Sequence, residues 1–288
     1  MNDDRAAGET RSASAAWFAT TDSDDVSAAS DAIRTGRADL PEDWPQQAVE
    51  TGFVESEEAY YELLQEVTIH TAREDVAECE QADDQQLVHA IRALDDCRET
   101  VNELTERVVE WAGTHDPEAT VDVDYVRELA AREPESPVER RVIALAGRVA
   151  GLDDEVEQLR TYIERTTPEV APNLSEIAGP ELAARLISLA GGLESLAKKP
   201  SGTVQVLGAE DALFAHLRGG APSPKHGIIY THEYVRGTNP EHRGSAARAL
   251  AGKLSIAARI DHYSGEYRPE LAAELEDRIE RIRARDDA

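Results

Sequence analysis

The chain has 288 residues, of which 41% are hydrophobic and only 5% are aromatic, and its formal net charge is −28 at pH 7. No apolar run reaches the roughly 20 residues that span a membrane, and the acidic N-terminus is unlike a secretion signal, so we expect a cytoplasmic protein. Apolar residues recur periodically along most of the chain, which excludes general disorder and predicts a mainly α-helical fold.

The first 72 residues predict a tail and a small domain. Residues 1–14 are polar and predict a disordered tail, and residues 15–72 predict a small α+β N-terminal domain. A short strand is expected first, because Trp17 and Phe18 lie in a brief apolar run. Three helical stretches are expected after it, with Ser56 as the start signal of the last one; they cover residues 24–35, 45–51 and 55–72.

Two apolar stripes dominate residues 73–170. Their steps alternate between three and four residues, as in a heptad repeat; the first comprises Leu87, Ala90, Leu94, Cys97, Val101, Leu104, Val108 and Trp111, and the second Val138, Val142, Leu145, Val149, Leu152, Val156, Leu159 and Ile163. A short helix at residues 123–131 separates them. The pattern predicts an antiparallel coiled-coil domain whose second helix ends at Pro168 and Pro172.

Residues 171–288 predict an all-helical C-terminal domain. Glycine and proline become frequent, and short helical patterns alternate with loops; we expect helices over residues 181–199, 204–217, 245–258 and 269–285.

The charge is unevenly distributed. Residues 1–170 carry a net charge of −27, whereas residues 198–259 contain nine basic and four acidic side chains and every lysine of the chain. A basic island in so acidic a protein favours a polyanionic partner, although pairing of its arginines with neighbouring acids would also explain it. The acidic, lysine-poor remainder suggests a salt-rich, halophilic cytosol, because molar salt shortens the screening length to about 3 Å.

Enzyme and metal signatures are absent from the sequence. Neither a zinc motif of the HExxH type nor a Gly-x-Ser-x-Gly elbow occurs, and residues 190–201 lack the order of a phosphate-binding loop. Cys79 and Cys97 lie 18 residues apart in one predicted helix, which separates them by about 27 Å and excludes a disulfide between them. We therefore predict no catalytic residue, no metal and no cofactor of the chain's own.

Several long segments resemble the Nop domain family. They follow one another in the family's order, beginning at residues 171–179 and including the stretch LAKKPSGTVQVLGAE at 196–210; the others are residues 184–192, 212–217, 224–230, 248–261 and 264–267. Residues 89–96 and 102–111 are similar to the first coiled-coil helix of archaeal members, and residues 52–67 to the end of their N-terminal domain. The resemblance favours the archaeal, fibrillarin-associated core protein of box C/D ribonucleoproteins.

The resemblance implies a non-catalytic scaffold. Such a protein binds a kink-turn guide RNA together with its kink-turn-binding protein, forms a homodimer through its coiled coil, and recruits a fibrillarin-like methyltransferase. The methyltransferase, which carries S-adenosylmethionine, then performs site-specific RNA 2′-O-methylation during rRNA processing. The alternative is a coiled-coil protein-interaction module without direct RNA binding.

The candidate residues form three groups. For RNA binding they are Arg218, Lys225, His226, Arg236, Asn239, Arg243 and Arg248; for a composite RNA/protein surface, Gly208, Ala209, Glu210, Asp211, Phe214 and His216; and for the dimerisation coiled coil, Leu94, Val101, Leu104, Val108, Leu145, Val149, Leu152 and Val156. The family usually has lysine where this chain has Asp211. Phe214 suits stacking or the core equally, and Arg259 is a candidate for a structural pair with Asp261.

Overall fold

The computed structural model describes residues 16–36 and 42–284 of the chain, so the predicted tail at residues 1–14 lies outside the described residues. The chain divides into two compact units, Met1–Ala82 and Asp83–Ala288, and each is considered by itself. Both are helical, and no β-strand occurs within the described ranges. The finer boundaries expected at residues 72/73 and 170/171 stay a prediction.

The first unit contains a 3₁₀-helix, Trp17–Thr20, and the helices α1 (Val26–Thr35), α2 (Trp44–Glu50) and α3 (Glu57–Gln81). The predicted strand and α+β character were therefore wrong. In a strand the side chains of Trp17 and Phe18 would point to opposite faces, whereas here both pack into one core with Phe53 and Tyr60. The Trp17 indole N–H donates to the Tyr60 hydroxyl over 3.1 Å, and the rings of Phe18 and Phe53 stack at 5.2 Å.

Side-chain caps define the helix starts of this unit. The Asp25 carboxylate accepts from the Ala28 N–H at 3.0 Å, and the Ser56 hydroxyl accepts from the Ala59 N–H at 3.1 Å. These bonds satisfy backbone donors that a helix start otherwise leaves free. The start signal at Ser56 is thus confirmed, but α3 continues to Gln81, nine residues beyond the predicted end.

In the second unit, α4 (Asp83–Ala112), α5 (Val123–Ala130) and α6 (Pro137–Val170) form what we call the arm. The end of α4 lies beside the start of α6, since Ala112 and Val142 line one pocket, so the two long helices run antiparallel as predicted. Pro168 lies inside α6 rather than at its end. Proline removes one helical N–H, but the helix continues for two residues and ends before Pro172.

The heptad stripes meet each other within a single chain. Of the eight residues assigned to the coiled coil, five are buried (Leu94, Val101, Val108, Val149 and Val156), and Leu104, Leu145 and Leu152 are partly buried against them. Burying such side chains stabilises a fold by about 1.5–3 kcal/mol each. Because this seam is already filled, a second copy of the chain would have to contact other faces of the arm.

The body follows the arm and, up to residue 284 where the described residues end, comprises eight helices: α7 (Pro172–Ala178), α8 (Pro180–Ala190), α9 (Leu193–Lys198), α10 (Ser201–Val206), α11 (Glu210–Leu217), α12 (Glu233–Arg236), α13 (Arg243–Tyr263) and α14 (Glu270–Arg283), with a 3₁₀-helix at Ile228–Thr231 between α11 and α12. Two predicted helices are each split in two. The breaks fall at Gly191 and Gly192, with φ of 87° and 117°, and at Gly208, with φ of 81°. Glycine adopts this left-handed region without steric cost.

Helix α13 is the centre of the body. Its inner face is rich in alanine and almost wholly buried, so neighbouring helices can approach closely. At its C-terminal end the Asp261 carboxylate accepts from the backbone N–H groups of Asn173 (3.1 Å) and Leu174 (2.8 Å). Asp261 therefore caps the start of α7 and fixes the junction where the arm enters the body.

Charged side chains also tie the arm to the body. Arg98 on α4 donates to both carboxylate oxygens of Glu181 on α8, at 2.8 and 3.2 Å. Arg185, one turn further along α8, donates to both oxygens of Asp95 at 2.6 and 2.5 Å. The pKa of Glu181 is lowered, first by its bond from Arg98 and also by Arg185. These bidentate pairs set the angle between α4 and α8.

Candidate nucleic-acid interface

The candidate residues of the body lie on and beside a hairpin formed by residues 205–228. At its base the Gly227 N–H donates to the Gln205 carbonyl (2.9 Å), and the Ile228 N–H donates to the Leu207 carbonyl (2.8 Å). A Cβ at position 227 would lie 2.0 Å from the Leu207 oxygen, so only glycine permits this approach. The hairpin is thus held by two backbone segments in direct contact.

Helix α11, which forms one side of the hairpin, buries no residue. Phe214 is 56% exposed and Leu217 is 70% exposed, so Phe214 does not belong to the core. Such an exposed apolar helix is typical of a surface that contacts another macromolecule. Asp211 is exposed on the first turn, beside Glu210.

Other polar groups of the hairpin stabilise its own turns. The Glu210 carboxylate accepts from the Gly208 N–H at 2.9 Å, and Nδ1 of His216 lies 2.9 Å from the Ala221 carbonyl. Ala209 connects α10 to α11, and Arg218 is exposed at the C-terminal end of α11. The hairpin is therefore ordered locally while its apolar tip and Arg218 remain available.

Three of the predicted RNA contacts gather around one tyrosine, and we call this set the Tyr230 cluster (Lys225, His226, Tyr230 and Arg243). The rings of His226 and Tyr230 stack with centroids 4.6 Å apart, and the Arg243 guanidinium lies over the tyrosine ring at 5.5 Å. A Cβ at Gly244 would lie 3.9 Å from Cδ of Lys225, which places the lysine stem against the start of α13.

The protonation state of His226 follows from these neighbours. Partial burial, the positive charge of Arg243 and that of Lys225 lower the pKa of His226 below its ordinary value. The ring is therefore neutral at neutral pH. A neutral, stacked imidazole can contact a base by stacking or by one directed hydrogen bond, while Lys225 supplies the positive charge for phosphate.

Arg243 and the remaining predicted contacts differ in whether their side chains are already hydrogen-bonded within the fold. Arg243 is committed to the fold, because its Nε donates to the Thr238 carbonyl (3.0 Å) and its Nη2 to the Arg236 carbonyl (3.3 Å). The Asn239 side chain accepts from the Glu241 N–H at 3.0 Å and shapes the turn before α13. The side chains of Arg236 and Arg248 are exposed.

One feature of this surface was missed by the sequence analysis, and the partner of one arginine was assigned wrongly. Tyr230 was not assigned a role, and no helical spacing indicated one, because His226 precedes the 3₁₀-helix Ile228–Thr231 rather than lying in a helix with Tyr230. Arg259 was a candidate for a structural role in a pair with Asp261; its role is structural, but Asp261 is not its partner. Its Nε donates to the Ala197 carbonyl (3.1 Å) and its Nη2 to the Lys199 carbonyl (3.3 Å), because the end of α9 leaves carbonyl groups free.

Within residues 16–36 and 42–284, no group of three or more His, Cys, Asp or Glu side chains is arranged to hold a metal ion. None of the helices in the described part of the chain is long and apolar enough to cross a membrane. The candidate functional surface is the hairpin with the Tyr230 cluster, because an exposed apolar helix and a basic, aromatic cluster meet there.

The chain is similar to members of one known protein family. A family model described as "Nop: snoRNA binding domain, fibrillarin" matches residues 54–281. An uncharacterized NOP5 family protein of Methanocaldococcus jannaschii is 38% identical over 240 residues, which are 70% of this chain and 58% of the relative. Nucleolar protein 56 of Saccharomyces cerevisiae is 34% identical over 246 residues, 69% of this chain and 49% of the relative.

A third relative and a solved structure agree with these matches. Nucleolar protein 58 of Candida glabrata is 34% identical over 70% of this chain and 48% of its own length, so the chain spans about half the length of the curated relatives it matches. A chain from the crystal structure of a fibrillarin/Nop5p complex has a similar fold, with a TM-score of 0.52 and 24% identity. The likeness covers 88% of this chain and 92% of that one.

Proposed function

Because this chain belongs to the Nop family, we propose that it is a non-catalytic scaffold of a box C/D guide ribonucleoprotein. In this proposal it binds a kink-turn guide RNA together with its kink-turn-binding protein and recruits a fibrillarin-like methyltransferase for site-specific RNA 2′-O-methylation. S-adenosylmethionine belongs to that methyltransferase. The single observation that carries the proposal is the pairing of an exposed apolar helix with a basic, aromatic cluster at the base of one hairpin.

The two parts of this surface suit two different partners. Phe214 and Leu217 on α11 present an apolar face, which suits contact with a protein. Lys225 and His226, at the other end of the hairpin, offer a charge for phosphate and a ring for a base. A complex of RNA and small protein would therefore contact both parts of the hairpin, whereas either partner alone would contact only one.

The chain's acidity supports recognition by shape. A protein with a net charge of −28 is repelled by a bare polyanion, and counterion release contributes little affinity when bulk salt is already high. A folded RNA already held by a protein offers stacking surfaces, directed hydrogen bonds and apolar contacts. We infer that affinity comes mainly from these contacts.

Self-association and methyltransferase binding are further parts of the proposal. The seam between α4 and α6 is filled within one chain, so a homodimer would use outer faces such as those of Trp111 and Val138, which are 39% and 42% exposed. The methyltransferase would dock on the N-terminal domain of residues 15–72, which the family resemblance implies is the fibrillarin-binding part.

The test is a mobility-shift assay in high KCl with a kink-turn RNA, with and without its small kink-turn-binding protein. We expect a further shift only when RNA and small protein are both present. Lys225→Gln should weaken this ternary complex, because it removes an exposed charge without removing a structural hydrogen bond. Lys198→Gln, with the same charge change at an exposed residue paired to Glu194, is the matched control.

The protein-interaction alternative predicts another pattern. If the chain binds the small protein equally well without RNA, and Lys225→Gln behaves like Lys198→Gln, the Tyr230 cluster does not contact RNA. The scaffold would then act through protein contacts alone.

A further inference from the structure

A groove of about 740 Å³ runs between α13 and α14. Its floor is formed by small or buried side chains: Leu275 and Ile282 are 1% and 2% exposed, and Ala249 and Gly252 lie opposite them on α13. The floor is therefore sealed and offers no deep pocket for the large anchoring side chain of a protein partner.

The rim of the groove is basic. Arg248 and Lys253 contribute from α13, and Arg278 and Arg281 from α14. Lys253 is paired with Glu274, which leaves three arginines facing the single remaining acid of the lining, Asp277. Arg281 donates its Nε to the backbone carbonyl of Asp277 at 3.0 Å.

Two of these arginines are uncommitted. Within the part of the chain that the structure describes, Arg248 and Arg278 have no carboxylate partner. In a chain with almost twice as many acidic as basic residues, unpaired arginines on both walls of one groove indicate an anionic occupant.

The groove continues the Tyr230 cluster. Gly244 lies against Lys225, Arg248 follows one helical turn later on the same face of α13, and Gly252 and Ile256 continue along the groove. The stretch from Gly244 to Ile256 spans about 18 Å of helix. An occupant of the groove would thus extend directly from whatever binds Lys225.

We propose that this groove holds the phosphate backbone of an RNA duplex that flanks the fold recognised by the hairpin. The inference rests on the proposed function and extends it to a second set of contacts. Guanidinium groups bind phosphate oxygens in pairs, and the contacts would fix the position of the duplex without reading its sequence. An acidic peptide is less suited, because the sealed floor gives it no anchor.

The experiment compares two RNAs that share the recognised fold and differ in the length of the flanking duplex. Both are bound to the small kink-turn-binding protein and titrated with the full chain. We expect the wild type to bind the longer RNA more tightly. The double variant Arg278→Gln/Arg281→Gln should lose that advantage while its affinity for the shorter RNA is unchanged.

Salt dependence gives a second readout. Removing one arginine that neutralises a phosphate lowers the slope of log affinity against log salt by about 0.7–0.9, so the slope of the double variant with the longer RNA should fall by about 1.5. The control is Arg107→Gln/Arg268→Gln, which has the same charge change at two exposed residues paired outside the groove, with Glu110 and Glu266. Equal thermal unfolding midpoints would exclude misfolding.

Other outcomes overturn the inference. If the wild type binds both RNAs equally, or the double variant keeps the advantage of the longer one, no duplex lies in the groove. If a labelled polyglutamate peptide binds the wild type and not the double variant while both RNAs are unaffected, the occupant is an acidic peptide. Failure of the wild type to bind even the shorter RNA would overturn the proposed function itself.

Discussion

The arm and the hairpin belong to the same compact unit, but the arm is stabilised by apolar burial and the hairpin by backbone contacts. The arm depends on a repeated apolar seam, in which each residue contributes a share of the burial. The hairpin buries nothing through α11 and depends on two backbone contacts at Gly227 and Ile228. Because the hairpin buries so little surface, substitutions of its outer residues should have little effect on its folding. Gly227, at its base, tolerates no larger side chain.

Truncating the seam should have the largest effect on stability. Leu94 is fully buried on α4, so Leu94→Ala removes apolar contacts and leaves a cavity, at a cost of about 2–5 kcal/mol of unfolding free energy. Chemical denaturation measures this. Val121→Ala, at a residue that is 68% exposed, should change stability by less than about 0.5 kcal/mol.

Leu94→Ala also tests whether the arm and the hairpin are stabilised independently. The folded variant should bind the RNA–protein complex with unchanged affinity, because Leu94 is not among the α4 residues, Ile91, Arg92 and Asp95, that line a pocket with Gly208 and Ile228 of the hairpin. A loss of affinity in the folded fraction would mean that arm and hairpin are coupled rather than independently specified.

Replacing glycine by alanine should weaken complex binding in the hairpin and raise folding stability in the arm. Gly227→Ala puts a Cβ 2.0 Å from the Leu207 oxygen; the local strain of about 1–3 kcal/mol should displace the hairpin and weaken complex binding roughly tenfold. Gly147→Ala, in the interior of α6 with open space around it, should raise stability by about 0.5–1 kcal/mol.

Binding and unfolding measurements on both variants test these two expectations. Normal complex binding by Gly227→Ala would show that the close backbone approach at the hairpin base does not constrain the interface. A destabilised Gly147→Ala would show that the arm is less regular at that position than its helix implies.

The smallest effect should come from the charges that tie α4 to α8. The pKa of Glu181 is lowered in the folded state by Arg98 and Arg185. Its contribution is therefore fully present above its ordinary pKa near 4.5 and is lost as pH falls through the lower folded value. In denaturation experiments between about pH 5 and pH 3, Glu181→Gln should reduce the loss of stability on acidification.

Salt provides the control for that prediction. Because Glu181 is partly exposed, its contribution should shrink in molar KCl. An identical pH profile for the variant and the wild type in low salt would show that the pairs do not stabilise the junction.

The accuracy of sequence-based prediction differs along the chain because only some of its segments bury residues at a regular period. The arm was predictable because its burial is periodic, and the cap at Ser56 was predictable because helix starts have few chemical solutions. The breaks at Gly191, Gly192 and Gly208 were not predicted, since the apolar pattern continues across them. The 3₁₀-helix at Trp17–Thr20 was mistaken for a strand because four residues show no clear period.

The candidate site was predictable in its composition and less so in its geometry. Lys225, His226 and Arg243 were selected from chemistry and resemblance, and the structure brings them together around Tyr230. Arg278 and Arg281 were overlooked, because on an amphipathic helix arginines are usually part of the solvated face. Only the approach of α14 to α13 shows that they line a groove.

The most direct test of the central claim is the mobility shift of a kink-turn RNA in high KCl when the chain is added with and without the small kink-turn-binding protein. Composite recognition predicts a further shift with both partners present and none with RNA alone, and a weaker shift with Lys225→Gln than with Lys198→Gln. Absence of a further shift in every combination would contradict the scaffold role assigned to the hairpin and the Tyr230 cluster.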